Sequence, residues 1–139
     1  NQAIIMSQKY DVVVTNPPYK RRGSGLVNPD ASKAIARHEI KCTLDDVLRT
    51  AAKLLRPRGR LFMIHRPDRL MDIALGMRRE RLEPKTIRLI HPKRNKAPNL
   101  LLIEGVLGGG EHLTWLPPLY VYNDCGEYTN EVKAIYGRG

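Results

Sequence analysis

The sequence predicts an α/β protein built on one layered sheet, and three observations predict it. Apolar runs of strand character alternate with segments of helical period, in the order strand, helix, strand, helix, strand, strand. The link between the last two strands holds no helical period. Antiparallel pairing is therefore permitted there, since a parallel crossover needs about a dozen residues or more. Finally, 139 residues with 42% hydrophobic content suit one domain with a core.

Each element has its own signal. Asp11 to Thr15 is a short buried strand, because Val12, Val13 and Val14 are β-branched and Pro17 stops the pairing. Thr43 to Leu55 is a helix: Leu44, Val47, Leu48, Ala51, Leu54 and Leu55 recur at helical spacing. Thr43 with Asp46 forms a capping box at its start, and Pro57 and Gly59 end it. Arg60 to His65 is the second strand. Pro67 opens a second helix with Leu70, Ile73, Ala74 and Met77 on one side, and Pro84 breaks it. Thr86 to Ile90 and Asn99 to Leu107 are the next strands, with Gly108-Gly109-Gly110 a flexible turn. Leu119 to Tyr122 reads as a strand and Asn130 to Tyr136 as a short helix.

Charge and cysteine usage narrow the function. A formal net charge of +10 and a pI near 10.0 favour a polyanionic partner, above all nucleic acid. Cys42 and Cys125 are far apart, with no CxxC and no clustered histidine. That speaks against a zinc site or a disulfide scaffold and suits the reducing cytoplasm. No apolar run approaches the roughly 20 residues of a membrane span, and no signal peptide is visible, so a membrane partner is not expected. The chain starts at Asn1 without a methionine, and residues upstream are expected. No G-x-G-x-x-G unit between a strand and a helix cradles a nucleotide; Gly108-Gly109-Gly110 follows a strand but precedes no helix.

The informative stretch is Asn16-Pro17-Pro18-Tyr19, directly after the first strand. Ligands of open α/β sheets bind beyond the carboxyl ends of the strands. Asn16 offers an acceptor oxygen, the Asn16-Pro17 unit adds a carbonyl of fixed direction, and Tyr19 supplies a flat ring. Together they would receive a planar group bearing an amino substituent. Accepting both of its N–H hydrogens favours a pyramidal nitrogen whose lone pair can meet an activated methyl, which is catalysis by orientation and electrostatics. The plainer reading is a Pro-Pro strand terminus with Tyr19 packed under a loop. The whole tetrapeptide after DVVVT weighs against it.

Asn16-Pro17-Pro18-Tyr19 resembles the NPPY motif of Rossmann-like, S-adenosylmethionine-dependent methyltransferases that act on exocyclic or amide nitrogens. The segments NPDASKAIARHEIKCTLDDVLRTAAKLLRPRGRLFMIHRPDRL, RLEPKTIRLIHPK and LLIEGV extend the likeness to the tRNA1(Val) adenine N(6)-methyltransferase family, across nearly the whole chain. The resemblance implies that the chain is the C-terminal half of a class I methyltransferase sheet, starting before the family's fourth strand, with the glycine-loop half absent. It implies one domain part over residues 1–139, with 111–139 a family-specific extension. It also implies that Asn16 and the Pro17 carbonyl hold the target amino group, that Tyr19 stacks on a flipped adenine, and that Asn16 touches the methionine end of the cofactor. The implied target is an adenine beside the anticodon. Most of the S-adenosylmethionine site would lie outside this chain. Alone, the chain would then be inactive and would pair with its N-terminal half or with a second copy.

Basic residues at the strand ends are the candidates for tRNA phosphates. Lys20, Arg21 and Arg22 follow the substrate corner, while Arg66, Lys93 and Arg94 follow later strands that open on the same rim. For most other basic residues a solvated helix face is the default. His38-Glu39 suits anchoring of a loop better than proton transfer, and His65 and His91 suit hydrogen-bonded structural roles. Trp115 with Pro117-Pro118 fits a hydrophobic lid over the sheet edge. Two other functions fit parts of the pattern: methylation of a release-factor glutamine, and noncatalytic RNA binding. The first fits poorly with the basic charge and with the segment after Tyr19; the second would follow if the cofactor half is missing from the mature protein.

Overall fold

A computed structural model describes residues 9–17 and 43–137. The chain forms β1 (Tyr10–Thr15), α1 (Leu44–Leu54), β2 (Leu55–His65), a 3-10 turn (Pro67–Arg69), α2 (Leu70–Arg79), β3 (Leu82–His91), β4 (Leu100–Leu107), β5 (Thr114–Trp115), β6 (Leu119–Tyr120) and α3 (Asn130–Gly137). One sheet runs β1-β2-β4-β3-β5, with β6 also pairing β3. β4 is antiparallel to both neighbours, whereas β1 with β2, and β3 with β5 and β6, are parallel. The antiparallel pairing expected of β3 and β4 is present, and the hairpin-like return of β4 lies between β2 and β3.

Both α1 and α2 lie on one face. Leu48 and Ala51 of α1 and Ile73 and Met77 of α2 close over Leu61, Met63, Leu82, Ile87, Leu101 and Ile103 of the sheet. Burial of these side chains is the main stabilising term, at roughly 1.5–3 kcal/mol for each large one. The α1 capping box forms as the sequence predicts: Asp46 N–H donates to Thr43 Oγ1 and Thr43 N–H to Asp46 Oδ2, each at 3.2 Å. The backbone hydrogen bond from Thr43, followed by its side-chain bond, holds the Asp46 carboxyl below its ordinary pKa.

Three boundaries differ from the sequence reading, each for a backbone reason. Helix α1 ends at Leu54, and β2 starts at once at Leu55 rather than at Arg60. Pro57 and Gly59 do not stop the helix. They sit where the β1–β2 register jumps from Tyr10–Leu55 to Val12–Arg60. A proline is tolerated in such a bulge because its missing N–H is not needed. Arg58 there has φ 69. A Cβ on Gly59 would lie 2.9 Å from the Arg56 carbonyl and 3.2 Å from that of Asp11, so the bend requires glycine. Likewise Pro84 does not break α2. That helix ends at Arg79, the chain turns at Arg81 with φ 63, and Pro84 lies inside β3 beside the shift between Pro84 and Thr86.

The tail differs as well. Thr114–Trp115 is itself an edge strand paired with Thr86 and Ile87, so Trp115 extends the sheet edge and is no lid over it; its side chain is exposed. β6 ends at Tyr120, two residues earlier than expected. Helix α3 starts at Asn130 as the sequence predicts and runs to Gly137. It is tied to β3 by an ion pair between Glu131 and Arg88.

Candidate active site

The sheet geometry brings three chain segments to one rim. β1 and β2 are parallel, and β2 and β3 are both antiparallel to β4, so all three end on the same side. Thr15 pairs with Met63, and this register carries Asn16-Pro17 alongside Ile64-His65. Asn16 is exposed there, while Pro17 is buried. An apolar strand followed by a buried proline thus holds an amide at the water boundary. Pro18, Tyr19, Lys20, Arg21, Arg22, His38 and Glu39 lie outside the described residues.

His65 closes β2 on the helix-covered face and is 2% exposed. Its Nδ1 accepts the Arg66 backbone N–H at 2.8 Å, which requires a neutral ring with the proton on Nε2. Burial, then the charges of Arg69 and Arg66, push its pKa below the ordinary 6.5, while Asp68 opposes them. This is a hydrogen-bonded, uncharged histidine at the floor of the rim. His91, at the end of β3, donates from Nδ1 to the Lys96 carbonyl at 2.7 Å and leans on the Tyr120 ring with centroids 5.2 Å apart. Both histidines therefore have the hydrogen-bonded roles that the sequence favoured.

Of the residues expected to contact phosphate, Arg66, Lys93 and Arg94 are among the described residues and follow strands that end on this rim, and two of them are already paired. Arg66 grips Asp68 in a two-pronged contact at 3.0 and 2.7 Å. Arg94 reaches Asp124 at 3.3 Å. Lys93 has no carboxylate partner among the described residues. Lys93 and Arg94 stand beyond β3, about 14 Å from the β1 corner at the usual strand spacing. Asn16 and Arg66 directly follow the adjacent strands β1 and β2, while Lys93 and Arg94 form a second group further along the same edge. Asp68, the partner of Arg66, escaped the sequence reading; its place two residues after an arginine at a strand end was the available signal.

Among the described residues, no glycine forms an open cradle of the kind that holds a nucleotide. Gly59, Gly76 and Gly105 are closely packed: a Cβ on each would strike Leu55, Leu48 or Met77, so none is an open cradle. Gly108, Gly109 and Gly110 follow β4, which ends on the side away from Asn16. A cleft of about 270 Å³ between α1 and α2 is lined by Asp45, Arg69, Asp72 and Arg79. Its charges pair with each other, Arg69 with Asp72 at 2.8 Å and Arg79 with Asp45 at 4.0 Å. No group of metal-ligating side chains occurs among the described residues.

The fold is that of part of a class I methyltransferase domain. A predicted O-methyltransferase of Agrobacterium tumefaciens superposes with a TM-score of 0.69 at 24% identity, over 92% of this chain and 51% of that one. The M1.HpyAVI–SAM complex gives a TM-score of 0.50 at 14% identity, covering 86% of this chain and 61% of that chain. By sequence the chain is a homologue of the tRNA1(Val) (adenine(37)-N6)-methyltransferases, resembling their C-terminal half. The Porphyromonas gingivalis protein of that name is 34% identical over 103 residues, 74% of this chain and 40% of the relative. That of Parabacteroides distasonis is 37% identical over 99 residues, 69% of this chain and 40% of the relative. That of Dyadobacter fermentans is 28% identical over 145 residues, 97% of this chain and 58% of the relative. The chain thus spans about two fifths of the length of the first two. No protein-family model matches it.

Proposed function

We propose that the protein to which this chain belongs methylates the exocyclic amino group of an adenine in tRNA, next to the anticodon, and that this chain supplies the corner that holds the amine. The observation that carries the reading is the position of Asn16-Pro17 at the carboxyl end of β1, exposed amide first and buried proline second. Asn16 Oδ1 and the Pro17 carbonyl accept the two N–H hydrogens of the target amine, and Tyr19 stacks on the base. The amine needs no charged base before attack, because held hydrogens free its lone pair. S-adenosylmethionine, when bound, would supply the activated methyl, and Asn16 is the residue assigned to its methionine end. Activity in this reading belongs to a longer protein whose remaining part holds the adenosine.

Lys20, Arg21 and Arg22, with Arg66, Lys93 and Arg94, are assigned to tRNA phosphates along the rim. The net charge of +10 supports them. Residues 111–139 are assigned as an extension of the domain. A cytoplasmic location accords with a tRNA substrate, and no helix among the described residues is long and apolar enough to cross a membrane. The test is methyl transfer by the full-length gene product, with unmodified tRNA and a release factor as rival substrates. Label in tRNA adenine supports the reading. Label in the release factor assigns an amide substrate instead, and label in neither removes the enzymatic reading.

A further inference from the structure

The tail carries a surface that the amine corner does not use. After β6 the chain makes a tight hairpin: Asn123 N–H donates to the Glu127 carbonyl at 2.7 Å, and Asn123 Oδ1 accepts from Cys125 and Glu127 N–H at 2.9 and 3.0 Å. Gly126, with φ 83, completes the turn. The hairpin places Tyr122 opposite Tyr128, rings stacked at 5.4 Å with 15° between their planes. Helix α3 then brings Tyr136 to 5.6 Å from Tyr128. These rings do not fill a core: Tyr122, Tyr128 and Tyr136 are 39%, 42% and 67% exposed.

The same hairpin is pinned to the basic loop after β3. Tyr122 N–H donates to the Pro92 carbonyl at 2.8 Å, and Asp124 holds Arg94. Lys93 and Lys96 stand in that loop, and Lys133 lies on α3. The carboxylates nearby are Asp124 and Glu131, paired with Arg94 and Arg88, and Glu127. Cations remain in excess. β6 pairs with the end of β3, on the rim that holds Asn16, on the order of 20 Å away at four strand spacings. A few unpaired nucleotides cover such a span.

We propose that Tyr122, Tyr128 and Tyr136 form a stacking platform for unpaired RNA bases, with Lys93 and Lys96 taking the adjoining phosphates. Ring faces bind any base by stacking, and lysines follow the backbone, so the platform selects single strand over duplex. The inference rests on the tRNA reading in one respect: the platform would hold loop nucleotides flanking the methylated one.

The test is fluorescence anisotropy of a labelled single-stranded RNA heptamer, and of the same sequence in duplex, titrated with the chain. Wild type is compared with Tyr136→Ala, Tyr136→Phe and the double variant K93A/K96A, each checked for an unchanged circular-dichroism spectrum. Tyr136→Ala is expected to weaken single-strand binding about fivefold or more while duplex binding holds, and Tyr136→Phe to bind like wild type. K93A/K96A should flatten the dependence of affinity on salt. No single-strand binding, equal binding by Tyr136→Ala, or an equal loss on duplex overturns the proposal. So does a concentration-dependent dimer in sedimentation that Tyr136→Ala dissolves, since the surface would then belong to a second copy. Loss of methyl transfer to tRNA with tyrosine-dependent binding intact would remove the enzymatic reading and leave the platform standing.

Discussion

The two ends of the sheet are finished differently. At the β3 end, β5 and β6 pair along the strand, and α3 is fastened by the Glu131–Arg88 ion pair. At the β1 end, the strand pairs only with β2 among the described residues. Val13 packs into the core, whereas Val12 and Val14 are 43% and 74% exposed. On the opposite face of the neighbouring strands no helix packs there among the described residues; Arg60 lies over Phe62 and reaches Glu104 at 3.4 Å, and Thr86 holds the same carboxylate at 2.7 Å. A strand edge with bare valines is a template for further pairing. The difference teaches that the tail covers one edge of the sheet, while among the described residues the edge bearing Asn16 is left with two exposed valines.

That contrast is open to attack at several points. The largest effect is expected in the sealed centre: Leu61→Ala, at a fully buried site, should cost about 2–5 kcal/mol in urea unfolding. Val14→Ala at the open edge should change stability by no more than about 0.5 kcal/mol. Equal losses at the two sites would mean that β1 is not an edge. Next comes Gly59→Ala, in the bend that joins β1 to β2. Its Cβ would press on two backbone carbonyls, and a loss of about 1–3 kcal/mol is expected. An unchanged unfolding midpoint would show that the bend relaxes freely.

A smaller effect should appear with pH. His65 is held below its ordinary 6.5 when folded, so below that value the unfolded chain takes up a proton that the folded chain resists. Stability from this group is complete above pH 6.5 and falls as the pH drops from there toward the folded value. Unfolding midpoints between pH 8 and 5.5 should therefore slope downward on acidification, and His65→Gln should flatten the slope. The smallest effect on stability is expected from Val14→Lys. It should leave the unfolding midpoint nearly unchanged but lower the tendency of the chain to self-associate in sedimentation. Association unaltered by the lysine would move the sticky surface away from β1.

Much of this was legible in the sequence, for reasons that are local. Val12 to Val14, the Thr43–Asp46 capping box and the helical spacing of Leu44, Leu48 and Ala51 state their structure within a few residues. Prolines misled. Pro57 and Pro84 read as helix breakers, but both sit in register shifts of strands, and a bulge depends on the partner strand. The turn after α2 has Arg81, not a glycine, at its positive φ, so no residue type announces it. Two-residue strands such as Thr114–Trp115 exist only because β3 offers an edge, so no periodicity reveals them. A strand-end motif placed Asn16 just beyond β1, where the structure has it, whereas the pairing of Arg66 with Asp68 and of Arg94 with Asp124 depends on side-chain reach that spacing does not show.

The most direct measurement is methyl transfer from S-adenosylmethionine to unmodified tRNA by the full-length gene product, with Asn16→Ala beside the wild type and tRNA binding followed in parallel. In the proposed reading Asn16 holds the reacting amine, an interaction of the transition state, so its loss should lower turnover by about a hundredfold or more. Affinity for tRNA should stay within about twofold, because the phosphate contacts lie elsewhere. Near-wild-type turnover in Asn16→Ala would contradict the account, since the corner after β1 would then have no part in the chemistry.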